Sequence, residues 1–254
     1  MIRPLRIPLT LALTACCALA QGGLTAYPSR VTLDSGIDAH RLVVVSSDAQ
    51  GITVDVSDAA EVTFADAGVA AWKDGLLLPL ADGETQATVR HGGHSATVAV
   101  TVRGAKVEPP VSFRNDVIPV LTRAGCNGGA CHGAAAGKNG FGLTLFGYDP
   151  AKDLRSLSRD YRGRRLDCAA PEQSLMLTKP TGEVRHKGGK RFERDSEMWE
   201  TLRAWIADGA SDDGDAVPTL VSLEIEPEEL VLAGPDRTSQ LVVTAEYSDG
   251  SQRQ

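Results

Sequence analysis

Along the first hundred residues apolar and polar positions alternate in the two-residue rhythm of half-buried strands. Ile52, Val54 and Val56 alternate with polar partners, as do Val62 and Phe64, and a Val-rich run spans 41–47. Asp74-Gly75 and Asp82-Gly83 punctuate as turns. Residues 85–90 and 95–102 predict two strands joined as a hairpin around Gly92-Gly93. So many short strands within 24–104 predict an all-β sandwich of two sheets. The rhythm then breaks at Val107-Glu108-Pro109-Pro110, which reads as a linker. Residues 112–123 predict a helix capped by Ser112, with Phe113, Val117, Val120 and Leu121 on one face. Pro119 sits inside that helix and is expected to bend it or leave its first part irregular. Residues 133–147 read as a glycine-rich loop, Pro171 to Leu175 as the start of a short helix, and 181–190 as a polar loop. Residues 196–208 predict an amphipathic helix that turns Met198, Leu202, Trp205 and Ile206 inward and stops at Gly209. Phe113 and Trp205 are the natural contacts where the first and last of these helices cross.

The opening pattern recurs. Pro28, Leu33, Leu42, Val43, Val44 and Gly51 match Pro227, Leu232, Leu241, Val242, Val243 and Gly250 without a gap, at a constant offset of 227 − 28 = 199. Residues 219–254 therefore read as the opening of a second sandwich, too short to bury its own apolar face and expected to be part of a longer chain. The predicted architecture is multidomain: an all-β sandwich over 24–104, a small all-α domain over 108–213, and the start of a second sandwich over 219–254.

Composition adds little to this, but charge and the leader add more. The chain has 254 residues, 42% hydrophobic and only 5% aromatic, with 26 glycines and 13 prolines, which suits turn-rich β modules. Net charge is −7, and basic residues are not interleaved with aromatics, which argues against nucleic acid as a partner. Charge sorts by region. Residues 21–104 carry 5 basic and 10 acidic side chains and 216–254 carry 2 and 7, so each nets −5. Residues 105–215 carry 17 and 16, a net of +1. Residues 1–20 read as a signal peptide, with Arg3 and Arg6 before an apolar run and Ala18-Leu19-Ala20 as the cleavage site. Leu13-Thr14-Ala15-Cys16 also fits a lipoprotein signal, which would make Cys16 a lipid tether to the membrane. Both readings place the mature protein outside the cytoplasm, in the periplasm or at the cell surface.

Of the five cysteines, Cys126, Cys131 and Cys168 lie beyond the leader. Cys168 reads as a buried small hydrophobe. The stretch Cys126-Asn127-Gly128-Gly129-Ala130-Cys131-His132 places two thiols before a histidine, the arrangement used for c-type haem attachment. Thioether bonds at Cys126 and Cys131 and an imidazole ligand from His132 suit iron held in a porphyrin. The spacer has four residues where the common motif has two, and Gly128 and Gly129 are expected to give the bulge its backbone freedom. Haem c therefore requires a second axial ligand from downstream, His186 first, Met176 second and Met198 third. Arg162, Arg164, Arg165, Lys187, Lys190 and Arg191 are candidates to pair the haem propionates or an acidic redox partner. Two other readings stay open. One is a non-redox surface protein in which Cys126 and Cys131 form a structural disulfide. The other is a zinc or iron site on Cys126, Cys131 and His132 without porphyrin. No nucleophile–base pair or paired carboxylates stand out, so an enzyme is not indicated within these residues.

Two resemblances sharpen the picture. Tyr27-Pro28…Val31…Leu33, the Leu-Val-Val core strand and, in the second copy, Tyr247-Ser248-Asp249-Gly250 resemble bacterial Ig-like domains of group 2. That resemblance implies surface or periplasmic spacer modules without chemistry of their own. Residues 111–213 resemble the planctomycete cytochrome c-like domain of large secreted proteins. The matching blocks are Phe113 to Leu121, Gly125-Cys126 to Cys131-His132-Gly133, Gly140-Phe141-Gly142-Leu143, Pro171 to Leu175, His186 to Phe192 and Trp205 to Ala210. This second resemblance implies an exported electron-transfer module with covalent haem and an unidentified redox partner.

Overall fold

The computed structural model describes residues 22–214 and 217–254, so the leader, Cys16 and Cys17 lie outside the described residues. The chain divides into two compact units, 108–220 and the remainder, in which residues up to 107 join 221–254.

The first unit is built from β1 (Gly23–Tyr27), β2 (Arg30–Leu33), β3 (His40–Arg41), β4 (Val43–Ser47), β5 (Thr53–Asp55), β6 (Glu61–Phe64), β7 (Ala70–Lys73), β8 (Leu76–Pro79), β9 (Gly83–His91) and β10 (His94–Val102). They form sheets in the orders β2-β10-β9-β6, β1-β4-β5 and β3-β8-β7. Alternation sets the faces: Val98, Val100 and Val102 of β10 and Ala87 and Val89 of β9 are buried, while Thr97, Ala99 and Arg90 between them are exposed. These residues join Val31, Leu33, Leu42, Val44 and Leu77 in one core. The β9–β10 hairpin turns at Gly92 and Gly93, whose φ values of 56° and 84° are the left-handed pair that a tight two-residue hairpin turn needs.

The second copy supplies β11 (Leu220–Glu226), β12 (Val242–Tyr247) and β13 (Gln252–Arg253), paired in that order. Val242 packs with Val43 and Val45 beside Tyr27 and Leu230. The Gln240 N–H donates to Asp55 Oδ2 at 2.7 Å, and the Thr53 N–H donates to the Val231 carbonyl at 2.8 Å. Pro28 and Pro227, which share the repeat offset, both follow cis peptide bonds. Most of the apolar residues of this copy stay uncovered, with Val221 at 64% and Leu223 at 60% exposure. A three-stranded sheet has one apolar face too many for the surface available here to bury.

His40 is buried at 2% exposure in this unit, and its Nε2 has no partner among the described residues. Burial holds its imidazole below the ordinary value, against the opposing pull of Asp38, the Gln252 carbonyl and Asp34. The unfolded chain therefore takes up a proton near pH 6.5 that the folded unit resists, and stability falls as pH drops below that point. Urea midpoints of this unit should decline from pH 7.5 to pH 5, and His40→Gln should flatten the decline. An unchanged slope in the variant would assign the pH dependence to other groups.

The second unit begins with a π-type turn over Phe113–Val117 that runs into α1 (Ile118–Arg123), followed by α2 (Pro150–Ser158), α3 (Leu175–Thr178) and α4 (Glu197–Ala207). Ser112 Oγ accepts from the Asn115 N–H at 2.9 Å, as a capping side chain does. Pro119 has no N–H to donate, which fits its place in the first turn of α1, with the wider π turn before it. The Asp213 carboxylate then ties the two ends of the unit together. It accepts from Ser112 Oγ at 3.0 Å and from the Phe113 and Arg114 N–H groups at 2.8 Å each. Phe113 and Trp205 meet with ring centres 5.2 Å apart, as the helix periodicities predict. Around them lie Leu121, Leu157, Leu177, Trp199, Leu202 and Ile206.

Two expectations are corrected here. The small all-α haem domain is not the architecture found. The chain is mostly β-sheet, helices account for 21% of it, and the longest described helix has 11 residues. The reason lies in the breakers: Pro119, Pro150 and Pro171 each start a new short turn or helix, and glycine-rich loops fill the space between. The second correction concerns α4, where Trp199 takes the buried position expected of Met198, which is only half-buried.

Candidate functional site: two thiols and two imidazoles on one cavity

The Cys126–His132 stretch folds into a closed loop at the end of α1. The Cys126 N–H donates to the Leu121 carbonyl at 2.8 Å, and the His132 N–H returns to the Cys126 carbonyl at 2.9 Å. The Cys131 N–H donates to the Gly128 carbonyl at 2.9 Å. The glycines that this loop requires are not the two expected. Neither Gly128 nor Gly129 has a left-handed backbone, whereas Gly125 has φ 74°. Gly133 lies so close to the loop that a Cβ there would sit 1.9 Å from the Asn127 carbonyl oxygen, an impossible contact. A Cβ on Gly128 would come no nearer than 3.4 Å to anything. Gly133→Ala should therefore abolish the loop's closure, whereas Gly128→Ala should be tolerated within about 1 kcal/mol. Urea unfolding of the two variants side by side checks this, and equal losses would contradict it.

His132 is held from behind. Its Nδ1 lies 3.1 Å from the Phe141 carbonyl oxygen. A carbonyl only accepts, so Nδ1 carries the proton and Nε2 keeps its lone pair. The Phe141 ring packs on the imidazole at 4.4 Å, and Arg165 covers the Phe141 ring at 4.2 Å. Arg165 is itself fixed by donating to the Ser156 and Asp160 carbonyls at 2.9 and 3.0 Å. Burial keeps the His132 imidazole below its ordinary value; the Phe141 bond opposes this, and the neighbouring His186, Arg165 and Lys179 charges reinforce it.

His186 has the same arrangement. Its Nδ1 lies 3.0 Å from the Gly189 carbonyl oxygen, which again leaves Nε2 with the lone pair. Gly188 makes room for the ring, since a Cβ there would lie 2.8 Å from His186 Cε1. The two imidazole ring centres lie 6.5 Å apart, with planes within 6° of parallel.

One cavity of about 760 Å³ is lined by Cys126, Cys131, His132, Met176 and His186 together. A space of that size falls within the range that organic cofactors occupy. Its apolar wall includes Leu121, Phe141, Leu143, Leu157 and Phe192. Cys126, Cys131 and Cys168 are free thiols. Burial pushes the Cys126 thiol up to about 11 and Cys131 adds to the rise, although Arg191 opposes both. Cys168 is exposed, contrary to the buried position expected for it, because it sits in the turn after Asp167. Met198 does not line the cavity. Of the expected cations Arg164, Arg165, Lys187 and Arg191 line it, while Arg162 and Lys190 do not. Lys138, Lys179 and Arg185 join them, which makes seven cationic side chains with no Asp or Glu among the described lining residues.

The residues fit a porphyrin-held iron better than a bare ion. His132 and His186 would each offer an Nε2 lone pair to an iron between them, which would set their ring centres a little over about 6 Å apart. The observed separation of 6.5 Å is of that length. A bare zinc or iron site needs three or more protein ligands, and among the described residues no such group of His, Cys, Asp or Glu exists. Two imidazoles would be enough for an iron whose other four nitrogens come from a porphyrin. Compared with family sequence models and with curated proteins, the chain matches none.

Proposed function

We propose that residues 108–213 form a c-type haem-binding electron-transfer module, exported and carried beside β-sandwich modules that act as surface spacers. The observation that supports this most directly is the pair of parallel imidazoles 6.5 Å apart across a cavity that both thiols of a Cys-Cys-His stretch also line. When bound, haem supplies an iron that accepts and gives back one electron. Cys126 and Cys131 would anchor the macrocycle, which keeps it from being lost outside the cell. His132 would be the proximal ligand. His186 takes precedence over Met176 as the distal one, because its ring already lies parallel to His132 with Nδ1 engaged and Nε2 open. Met176, at 8% exposure, lines the same cavity but has no such preset orientation. Phe141 and Leu143 exclude water on the His132 side, and the lining cations supply partners for the two propionates. Two imidazoles favour oxidised iron relative to an imidazole–thioether pair, so the module would work at the lower end of the c-type range.

The test is the intact mass of protein made together with the haem-attachment machinery, read beside its visible spectrum. Mass equal to apoprotein plus haem, with colour surviving acid–acetone extraction, is the expected result. A colourless protein whose two thiols react only after reduction would replace this function with the disulfide-bearing surface protein.

A further inference from the structure

We infer that Arg191 positions Cys131 as the first of the two thiols to become bonded to the macrocycle. This inference rests on the haem reading above. The two sulfurs are held differently. Arg191 Nη2 donates to Cys131 Sγ at 3.3 Å, whereas Cys126 packs against the apolar cluster of α1 and α4. The guanidinium is not loosely placed. The Arg191 N–H donates to the Pro180 carbonyl at 2.7 Å, and the side chain passes Gly125 closely enough that a Cβ there would lie 3.7 Å from Nη1. Arg191 belongs to none of the ion pairs seen among the described residues, so its planar donor set is directed at sulfur and at the cavity.

The direct hydrogen bond goes to one sulfur, that of Cys131. In thioether formation the Cys131 S–H adds across a vinyl C=C of the macrocycle. A C–S bond forms at the inner carbon, the thiol hydrogen ends on the outer carbon, and the π bond is consumed. Nothing leaves, and no net oxidant or reductant is used. Negative charge appears on sulfur as its proton is lost, and a guanidinium within hydrogen-bond reach stabilises it there before the forming C–S bond draws that charge away. Cys131 also directly precedes His132. Bonding there first places the macrocycle one residue from its proximal ligand, and the loop closed by the His132 N–H to Cys126 carbonyl bond, at 2.9 Å, then brings Cys126 to the second vinyl.

The experiment uses the full chain matured with haem-attachment machinery, in the C126A and C131A backgrounds, each with and without R191L or R191K. Haem loading is read from intact mass, and the number of thioether bonds from the pyridine haemochrome band. C126A is expected to load close to wild type, and C131A several-fold less. R191L should lower loading of C126A about fivefold or more and that of C131A by much less, with R191K restoring part of the loss. Equal falls in both backgrounds would make Arg191 merely structural and overturn the inference, as would no fall in either. Wild type at apoprotein mass would overturn the haem reading itself, and this inference with it.

Discussion

In haem-loaded protein, His186→Ala is expected to turn a six-coordinate low-spin spectrum into a five-coordinate high-spin one, while Met176→Leu leaves the spectrum unchanged. The contrast follows from how the two side chains are held. The His186 ring is set by the Gly189 carbonyl on one side and by the absent Cβ of Gly188 on the other, and it lies parallel to His132. The Met176 side chain, on α3, is held by apolar packing and lines the same cavity. His186→Met, if the thioether reaches the iron, should raise the reduction potential by a sizeable part of the roughly 0.8 V that axial ligation commands. Gly188→Ala should reproduce the alanine phenotype in milder form, because the added methyl displaces the ring without removing it. A low-spin spectrum that survives His186→Ala but not Met176→Leu would reverse the ligand assignment and leave the rest of the site standing.

Trp205→Ala is expected to unfold the second unit, or nearly so. The indole is 1% exposed, stacks against Phe113 at 5.2 Å, and donates its Nε1–H to the Ser211 carbonyl at 3.0 Å. Removing a buried aromatic of this size costs about 3–5 kcal/mol, and a lost hydrogen bond adds about 1 kcal/mol. A domain of this size has about 5–15 kcal/mol in total, so most of its stability would go. Trp205→Phe keeps the ring stack and loses the bond, and should cost about a third as much. Urea midpoints followed by tryptophan fluorescence measure both. A Trp205→Ala loss below about 1 kcal/mol would mean that the two ends of the unit do not depend on this contact.

The Phe113–Trp205 contact was legible in the sequence because both residues stand at helical spacing beside strong stop signals. The same periodicity misplaced Met198: a window centred one residue later puts Trp199 on the buried stripe, and only packing decides between them. α2 went unread although its signals are present. Asp149 caps it by accepting from the Lys152 N–H at 3.0 Å, and Pro150 occupies the first turn, but both follow a glycine-rich stretch that reads as loop. Val54 alternates correctly yet is 45% exposed, since β5 is the edge strand of its sheet. At the site, residue types were readable and distances were not. Cys126, Cys131, His132, His186 and Met176 were singled out by chemistry and line one cavity, but Lys138 on one side and Lys179 and Arg185 on another reach it from segments that only tertiary packing brings together. The glycine requirement fell on Gly125 and Gly133 for the same reason, because steric need depends on what the chain folds back against.

The lining of that cavity has a consequence for kinetics. Seven cations and, among the described residues, no carboxylate line it in a chain whose net charge is −7. A small anionic oxidant such as ferricyanide is repelled by the molecule as a whole and attracted by this lining. At about 0.1 M salt the screening length is about 10 Å, shorter than the protein. Near that salt concentration the local lining dominates, so in haem-loaded protein oxidation by ferricyanide should slow as ionic strength rises, and oxidation by a cationic cobalt complex should quicken.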